Sequence, residues 1–247
     1  MQQEYVMWMH IDVMDYKAAR TGVAVSKTPE GPFRYLGSVR PDGQESRDMT
    51  VFKDPINSGV AWLIYSSEDN MVMHVAALTP DFRATNGTME RILINSQREA
   101  PAVFSDGRSY YMITSGCTGW APNAAEVFVA SHMLGPWHSL GDPSRGANAA
   151  VRSTTFHSQP AFVIPLQDLA RPDPALEGRF ILMADRWNSH NLGASRYVWL
   201  PMVVREVDSD SALLKRAHED EHKLWHTVVV RWHERWSIGA ELLQEPR

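Results

Sequence analysis

The chain has 247 residues, with 24 Lys+Arg against 29 Asp+Glu for a formal charge of −5, so it carries no strong basic field of the kind that binds nucleic acid. With 44% hydrophobic and 21% charged residues it has the balance of a folded globular chain, and overall disorder is excluded. The single cysteine, Cys117, excludes an intramolecular disulfide or a cysteine-built zinc site, and no apolar run approaches the roughly 18 residues of a membrane-spanning helix.

In chain order, Tyr5-Val6-Met7-Trp8-Met9-His10 reads as a strand almost from the first residue, with no leader resembling a standard export signal before it. Gly22-Val23-Ala24-Val25-Ser26 leads to Gly31-Pro32-Phe33 and Leu36-Gly37. Met49-Thr50-Val51-Phe52-Lys53-Asp54 is followed across a turn by Ala61–Ser67, and Ala100–Gly107 by Tyr110–Ser115. Val127–Ser131 then leads to Gly135-Pro136-Trp137 and Leu140-Gly141, repeating the pattern that follows Gly22. Gln159–Ile164 is followed, after a longer polar insert, by Gly178–Asp185. Phe52, Phe104 and Phe162 occupy one phase of this repeat, 52 and then 58 residues apart.

Each repeat holds about four short strands rich in Val, Ile, Phe, Tyr and Trp, separated by Gly, Pro, Asp and Asn. A unit of this length with four antiparallel strands is a propeller blade, and the repeat favours it over a β-sandwich with similarly spaced strands. The expected fold is all-β, a β-propeller of four-stranded antiparallel blades forming one domain over 1–247. Blades are expected at about 4–40, 46–95, 98–142 and 157–236, the first incomplete. The last contains an insert at about 166–177 and a charged stretch at about 206–223, expected to be a solvated loop or short helix.

In a propeller the residues just ahead of each inner strand gather at one mouth of the channel. Asp48, Glu99 and Gln159 all hold that position, so two carboxylates and an amide are expected to face a common cavity. Two facing carboxyl groups are the equipment of glycoside hydrolysis, one protonating the departing oxygen while its partner activates water or attacks. The plainer reading is that each caps a turn or pairs with its neighbour, Arg47 or Arg98.

The strings Ser46–Asp54, Arg98–Phe104, Ser115–Asn123, Ser158-Gln159, Ala184-Asp185-Arg186-Trp187 and Ser195–Trp199 resemble glycoside hydrolase family 43, most closely its exo-β-1,3-galactanase-like branch. The resemblance runs from about Glu4 to Trp236. It implies Glu99 as general acid and Asp48 as the carboxylate that tunes it and holds the sugar. Gln159 matches a glutamine that stands in for the usual aspartate base, although an amide can serve only by positioning water or through an unusual tautomer. Tyr16 and Trp120 match residues lining the sugar pocket, and Asp185, Arg186 and Trp187 are carried over as substrate-binding. Inversion is implied, with carboxyl groups roughly 6.5–9.5 Å apart. Relatives are five-bladed, and their first blade, with the inner strand of the second, precedes the point where this chain begins. Asp12 and Asp15 lie in the wrong phase to replace the acidic residues of that stretch, and a second copy of the chain could cover the incomplete blade.

No cofactor is required by the resemblance; a structural calcium or sodium ion on the propeller axis, with His157 nearby, stays open. His218-Glu219-Asp220-Glu221-His222 matches the letters of a zincin motif in a polar setting with little apolar face. Cys117 has no neighbouring His to make it a nucleophile. Three functions follow in order: a glycosidase acting on β-galactosides or on arabinose- or xylose-containing polysaccharides, a non-catalytic carbohydrate-binding propeller, and an interaction scaffold. The expected partner is an oligo- or polysaccharide, with neither nucleic acid nor membrane.

Overall fold

The computed structural model describes residues 4–168, 178–206 and 226–237. The zincin-like His218–His222 string, most of the charged stretch at 206–223 and most of the insert at 166–177 lie outside the described residues. The fold is all-β, built of four antiparallel sheets of the propeller-blade type, with one four-residue helix, α1 (Ala149–Arg152), and short 3-10 turns among the described residues. Cα proximity divides the chain into two compact units, 1–101 and 102–247.

The first unit opens with β1 (Tyr5–Ile11), β2 (Arg20–Ser26) and β3 (Arg34–Val39), an antiparallel meander of three strands. Its edge strand β1 is only partly buried. Gly22 on β2 is required by close approach: a Cβ there would lie 2.7 Å from the Ile11 side chain. The second sheet is β4 (Met49–Lys53), β5 (Ala61–Ser67), β6 (Val72–Leu78) and β7 (Thr85–Ile92), in that order. Every residue of β5 and β6 is out of solvent, the polar Ser66, Ser67 and His74 included, as expected of largely apolar strands covered on both faces, whereas the polar β7 faces water along much of its length. Leu63, Tyr65 and Ala76 form a core with Trp8, Val51 and Phe82 packed against it. Trp8 also donates its indole N–H to the Phe82 carbonyl at 2.9 Å.

β8 (Arg98–Ser105) begins at the end of the first unit and continues into the second, where it joins β9 (Tyr110–Gly116), β10 (Glu126–Ala130) and β11 (His138–Gly141). The last sheet holds β13 (Gln159–Pro165), β14 (Arg179–Arg186), β15 (Arg196–Glu206) and β16 (His226–Arg231). A fifth strand departs from the uniform four: the two-residue β12 (Ser144–Arg145) pairs parallel to β16. Backbone bonds from Val230 N–H to Pro143 O and from Trp232 N–H to Arg145 O lock it there. Two residues leave no periodicity in the sequence, which is why this strand was not foreseen. Phe104, Tyr111 and Phe180 anchor this unit's core, with Phe104 stacked on Tyr111 at 5.1 Å and tilted against Phe180 at 4.8 Å.

The repeat phase slips once. Phe162 was placed in the position of Phe104, yet Phe104 is 1% exposed and Phe162 46%. The register of β13 against β14 shifts between Pro160 and Phe162. Proline has no N–H to give the ladder, and one extra residue in a strand turns the following side chains to the opposite face. Val163 is buried instead.

Candidate active site

Within the first unit the leading ends of β4 and β8 are tied together by one buried residue of β5. Ser66 donates its N–H to Asp48 O at 2.9 Å, accepts Arg47 N–H at 3.0 Å, and donates its hydroxyl to Arg98 O at 3.2 Å. The residues immediately before the two inner strands are thereby held in one place. The Ala100 N–H bonds the Asp48 carboxylate, with Ala100 in the left-handed region at φ 50°. That conformation costs a non-glycine residue roughly 1–2 kcal/mol, and it lies directly beside Glu99, where strain is common at functional sites.

Burial raises the pKa of Asp48, while the charge of His10 and the Ala100 N–H work against that rise. His10 is oriented by Asp12, whose Oδ2 lies 2.7 Å from the imidazole Nε2. Asp12 is in turn fixed by accepting the N–H groups of Val13 and Ala18, each at 2.9 Å. Asp12 therefore supports a residue whose charge acts on Asp48. The plainer reading of Asp48 as Arg47's partner does not hold, because Arg47 pairs with Glu45 at 2.8 Å and Asp69 at 2.9 Å.

Glu99 is partly buried and accepts the Asn70 Nδ2–H at 3.3 Å. Asn70 ends a turn of three consecutive left-handed residues, Glu68 (φ 51°), Asp69 (φ 54°) and Asn70 (φ 62°). Tyr16 is 59% exposed, also left-handed, on the loop after β1. Ser66, Asn70 and His10 were missed by sequence reasoning: they sit on second strands and turns, in no recurring phase.

Within the second unit Gln159, Asp185, Trp187 and Trp120 line one cleft of ≈ 500 Å³, open mouth included. Trp187 donates its indole N–H to Gln159 Oε1 at 2.8 Å, and Gln159 Nε2 donates to Ser115 Oγ at 2.9 Å. These two bonds hold Gln159 as an ordinary amide, oxygen toward the indole. Trp120 meets Trp187 edge-on, with centroids 5.6 Å apart. Asn123 stiffens the loop that carries Trp120, since its amide accepts Gly116 N–H and donates to Gly116 O, both at 2.7 Å. Asp185 faces Gln159 across the β13–β14 pair, its pKa raised by burial.

Arg186 lines the cleft, but its guanidinium donates to the carbonyls of Phe156 at 2.7 Å and His157 at 3.3 Å. It thereby braces the left-handed run Thr155-Phe156-His157 that precedes Gln159. His157 shares a contact with Thr154 Oγ1 at 3.2 Å. Among the described residues no three His, Cys, Asp or Glu side chains converge so as to hold a metal ion.

Exposed indole faces beside fixed amide, hydroxyl and carboxyl groups suit a ligand with apolar C–H faces and a rim of hydroxyls. The carboxyl pair of the first unit suits proton transfer to an oxygen leaving group.

The family model of glycosyl hydrolases family 43 matches residues 2–152. Among solved structures the chain is similar to a family 43 β-1,3-galactosidase determined with galactodeoxynojirimycin, at 33% identity over 94% of this chain and 72% of that one, TM-score 0.77. It is also similar to exo-β-1,3-galactanases from Phanerochaete chrysosporium, with galactose (36% identity, 80% of this chain, 43% of that one, TM-score 0.69), and from Clostridium thermocellum (36%, 81%, 43%, TM-score 0.70). The chain thus spans less than half the length of the two galactanases. No curated protein matches it. A family model over more than half the chain, together with relatives sharing a third of its residues, establishes that this chain belongs to glycosyl hydrolase family 43.

Proposed function

We propose that the chain hydrolyses terminal β-1,3-linked galactosides by an exo-acting, inverting mechanism. In this reading Glu99 protonates the departing glycosidic oxygen, and Asp48 tunes that carboxyl and holds the sugar. Trp120 and Trp187 offer apolar faces to sugar rings, with Asp185 taking hydroxyl hydrogen bonds. The observation that carries it is the joint anchoring of Asp48 and Glu99 through Ser66 and Ala100, on a chain whose relatives are galactosidases and galactanases. Arabinosides and xylosides remain the alternative substrates of the same chemistry.

The test is release of galactose from β-1,3-galactobiose, with the anomer followed by NMR during the first turnovers. Galactose should appear first as the α-anomer. Glu99→Gln should lower kcat at least ~100-fold, the lower end of what a positioned acid contributes, with KM little changed. First appearance of the β-anomer, or full activity in Glu99→Gln, would refute the reading. A second reading, sugar binding without turnover, is favoured by one specific observation: the Gln159 amide is already engaged by Trp187 and Ser115. Undiminished galactose binding by calorimetry with no hydrolysis in wild type or variant would select it.

A further inference from the structure

The Glu68-Asp69-Asn70 turn between β5 and β6 is clamped at each of its first two residues, and its third reaches Glu99. Glu68 accepts Arg91 Nε–H at 2.7 Å and Arg91 Nη2–H at 2.6 Å, a two-pronged bond across to β7. Glu68 Oε1 also lies 2.9 Å from Nε2 of the buried His74, whose Nδ1 is 3.3 Å from the Tyr65 hydroxyl. His74 and Arg91 are register partners on β6 and β7, so the sheet presents both to Glu68. Asp69 is held from the other side: its carboxylate accepts Arg47, and its N–H donates to Glu45 Oε2 at 3.1 Å.

Among the described residues the Asn70 side chain makes one hydrogen bond, to Glu99, and its buried Oδ1 has no partner there. Its placement therefore comes from the turn backbone, which is held left-handed over three residues by the clamps on Glu68 and Asp69. An amide nitrogen only donates. The Glu99 oxygen that receives its N–H, Oε2, is thus held as an acceptor, which favours the proton of an acidic Glu99 on Oε1.

We propose that the Glu68–His74–Arg91 cluster is a positioning device for the general acid: through the backbone of the turn it sets Asn70 against Glu99 Oε2 and so assigns the transferable proton to Oε1. This rests on the reading of Glu99 as the acid. Glu68, His74 and Arg91 touch neither sugar nor reacting atoms in this account; they act through Asn70.

A leaving-group comparison separates this role from simple support of the fold. A sugar leaving group needs protonation, whereas 2,4-dinitrophenolate leaves without it. The full chain and its Glu68→Gln, Asn70→Ala and Glu99→Gln variants are assayed on β-1,3-galactobiose and on 2,4-dinitrophenyl β-galactoside. Glu68→Gln and Asn70→Ala should each lose about tenfold in kcat on the disaccharide, a part of the general-acid contribution, and less than about twofold on the aryl galactoside. Glu99→Gln should show the same split, larger. Equal losses on both substrates, or none on either, in the two positioning variants while Glu99→Gln keeps its split overturns the device alone. Absence of the split in Glu99→Gln overturns the acid reading and the device with it. If Glu68→Gln fails to fold by near-UV circular dichroism, Arg91→Gln, which alters an exposed partner, makes the same comparison.

Discussion

At Glu68 the Arg91 guanidinium, and after it the His74 imidazole, hold the carboxyl well below its ordinary 4.5, at about 2. A depressed folded-state value means that the stabilisation is complete above the unfolded pKa and is lost as pH falls through the folded one. The Glu68 side chain is 34% exposed, so screening keeps the effect small. The melting temperature of Glu68→Gln should therefore lie below wild type near neutral pH, with the gap narrowing from about pH 4.5 toward about pH 2. A gap of constant size across that range in thermal melts would show that the ion pair contributes nothing. The same residue shows where reading a sequence stops. Asp48 and Glu99 could be found because both stand at the leading end of an inner strand, a position that recurs. Glu68, Asn70 and Ser66 stand at no recurring position, and their importance comes from the contacts the sheet creates. Arg186 shows the converse: its motif marks it for the cleft, yet its guanidinium is engaged with two backbone carbonyls.

The strands β5 and β9 were legible because burial on both faces makes their sequence apolar up to the Ser and Thr at their ends. The turns that join them were legible only in part. Between β4 and β5 the buried Asp54 accepts Ile56 N–H at 2.8 Å and Asn57 N–H at 2.9 Å on one oxygen, and Trp62 Nε1–H at 3.1 Å on the other. One carboxylate thus closes the turn and orients a core indole on the next strand. Read as sequence, Asp54 is just another turn-former, since nothing local shows that an indole eight residues later ends beside it. Replacing Asp54 by Ala leaves the buried Trp62 indole N–H without its acceptor and releases two N–H groups of an exposed turn, and an unsatisfied buried donor costs about 1–3 kcal/mol. Urea denaturation of Asp54→Ala should show a loss of about 1–3 kcal/mol on that basis. Asp54→Asn, which keeps an acceptor for the turn, should recover part of it. A loss below about 1 kcal/mol in Asp54→Ala would mean that water satisfies the turn and the carboxylate is dispensable.

At the scale of the whole chain, the sheet repeat organises both the fold and the search for a site, and its failure is as instructive as its success. Read as copies, Phe104 and Phe162 are equivalent and should be equally costly to remove. The structure separates them. Phe104 is enclosed by Tyr111 and Phe180 in the core of the second unit, whereas the shift after Pro160 turns Phe162 outward and puts Val163 into the buried place. Removing a fully buried phenylalanine costs about 3–5 kcal/mol from lost transfer energy and the cavity left behind, a large share of the ~5–15 kcal/mol that stabilises a typical domain. A half-exposed ring leaves no closed cavity, so Phe162→Ala should cost under about 1 kcal/mol. Denaturant unfolding of Phe104→Ala and Phe162→Ala, compared at equal m-value, therefore decides between strict repetition and a strand whose proline has reset its register. Equal losses would restore the strict repeat. A difference of several kcal/mol in favour of Phe162→Ala is the outcome that the broken ladder at Pro160 requires, because a proline without an N–H and one extra residue suffice to move a side chain from core to solvent while the strand itself continues.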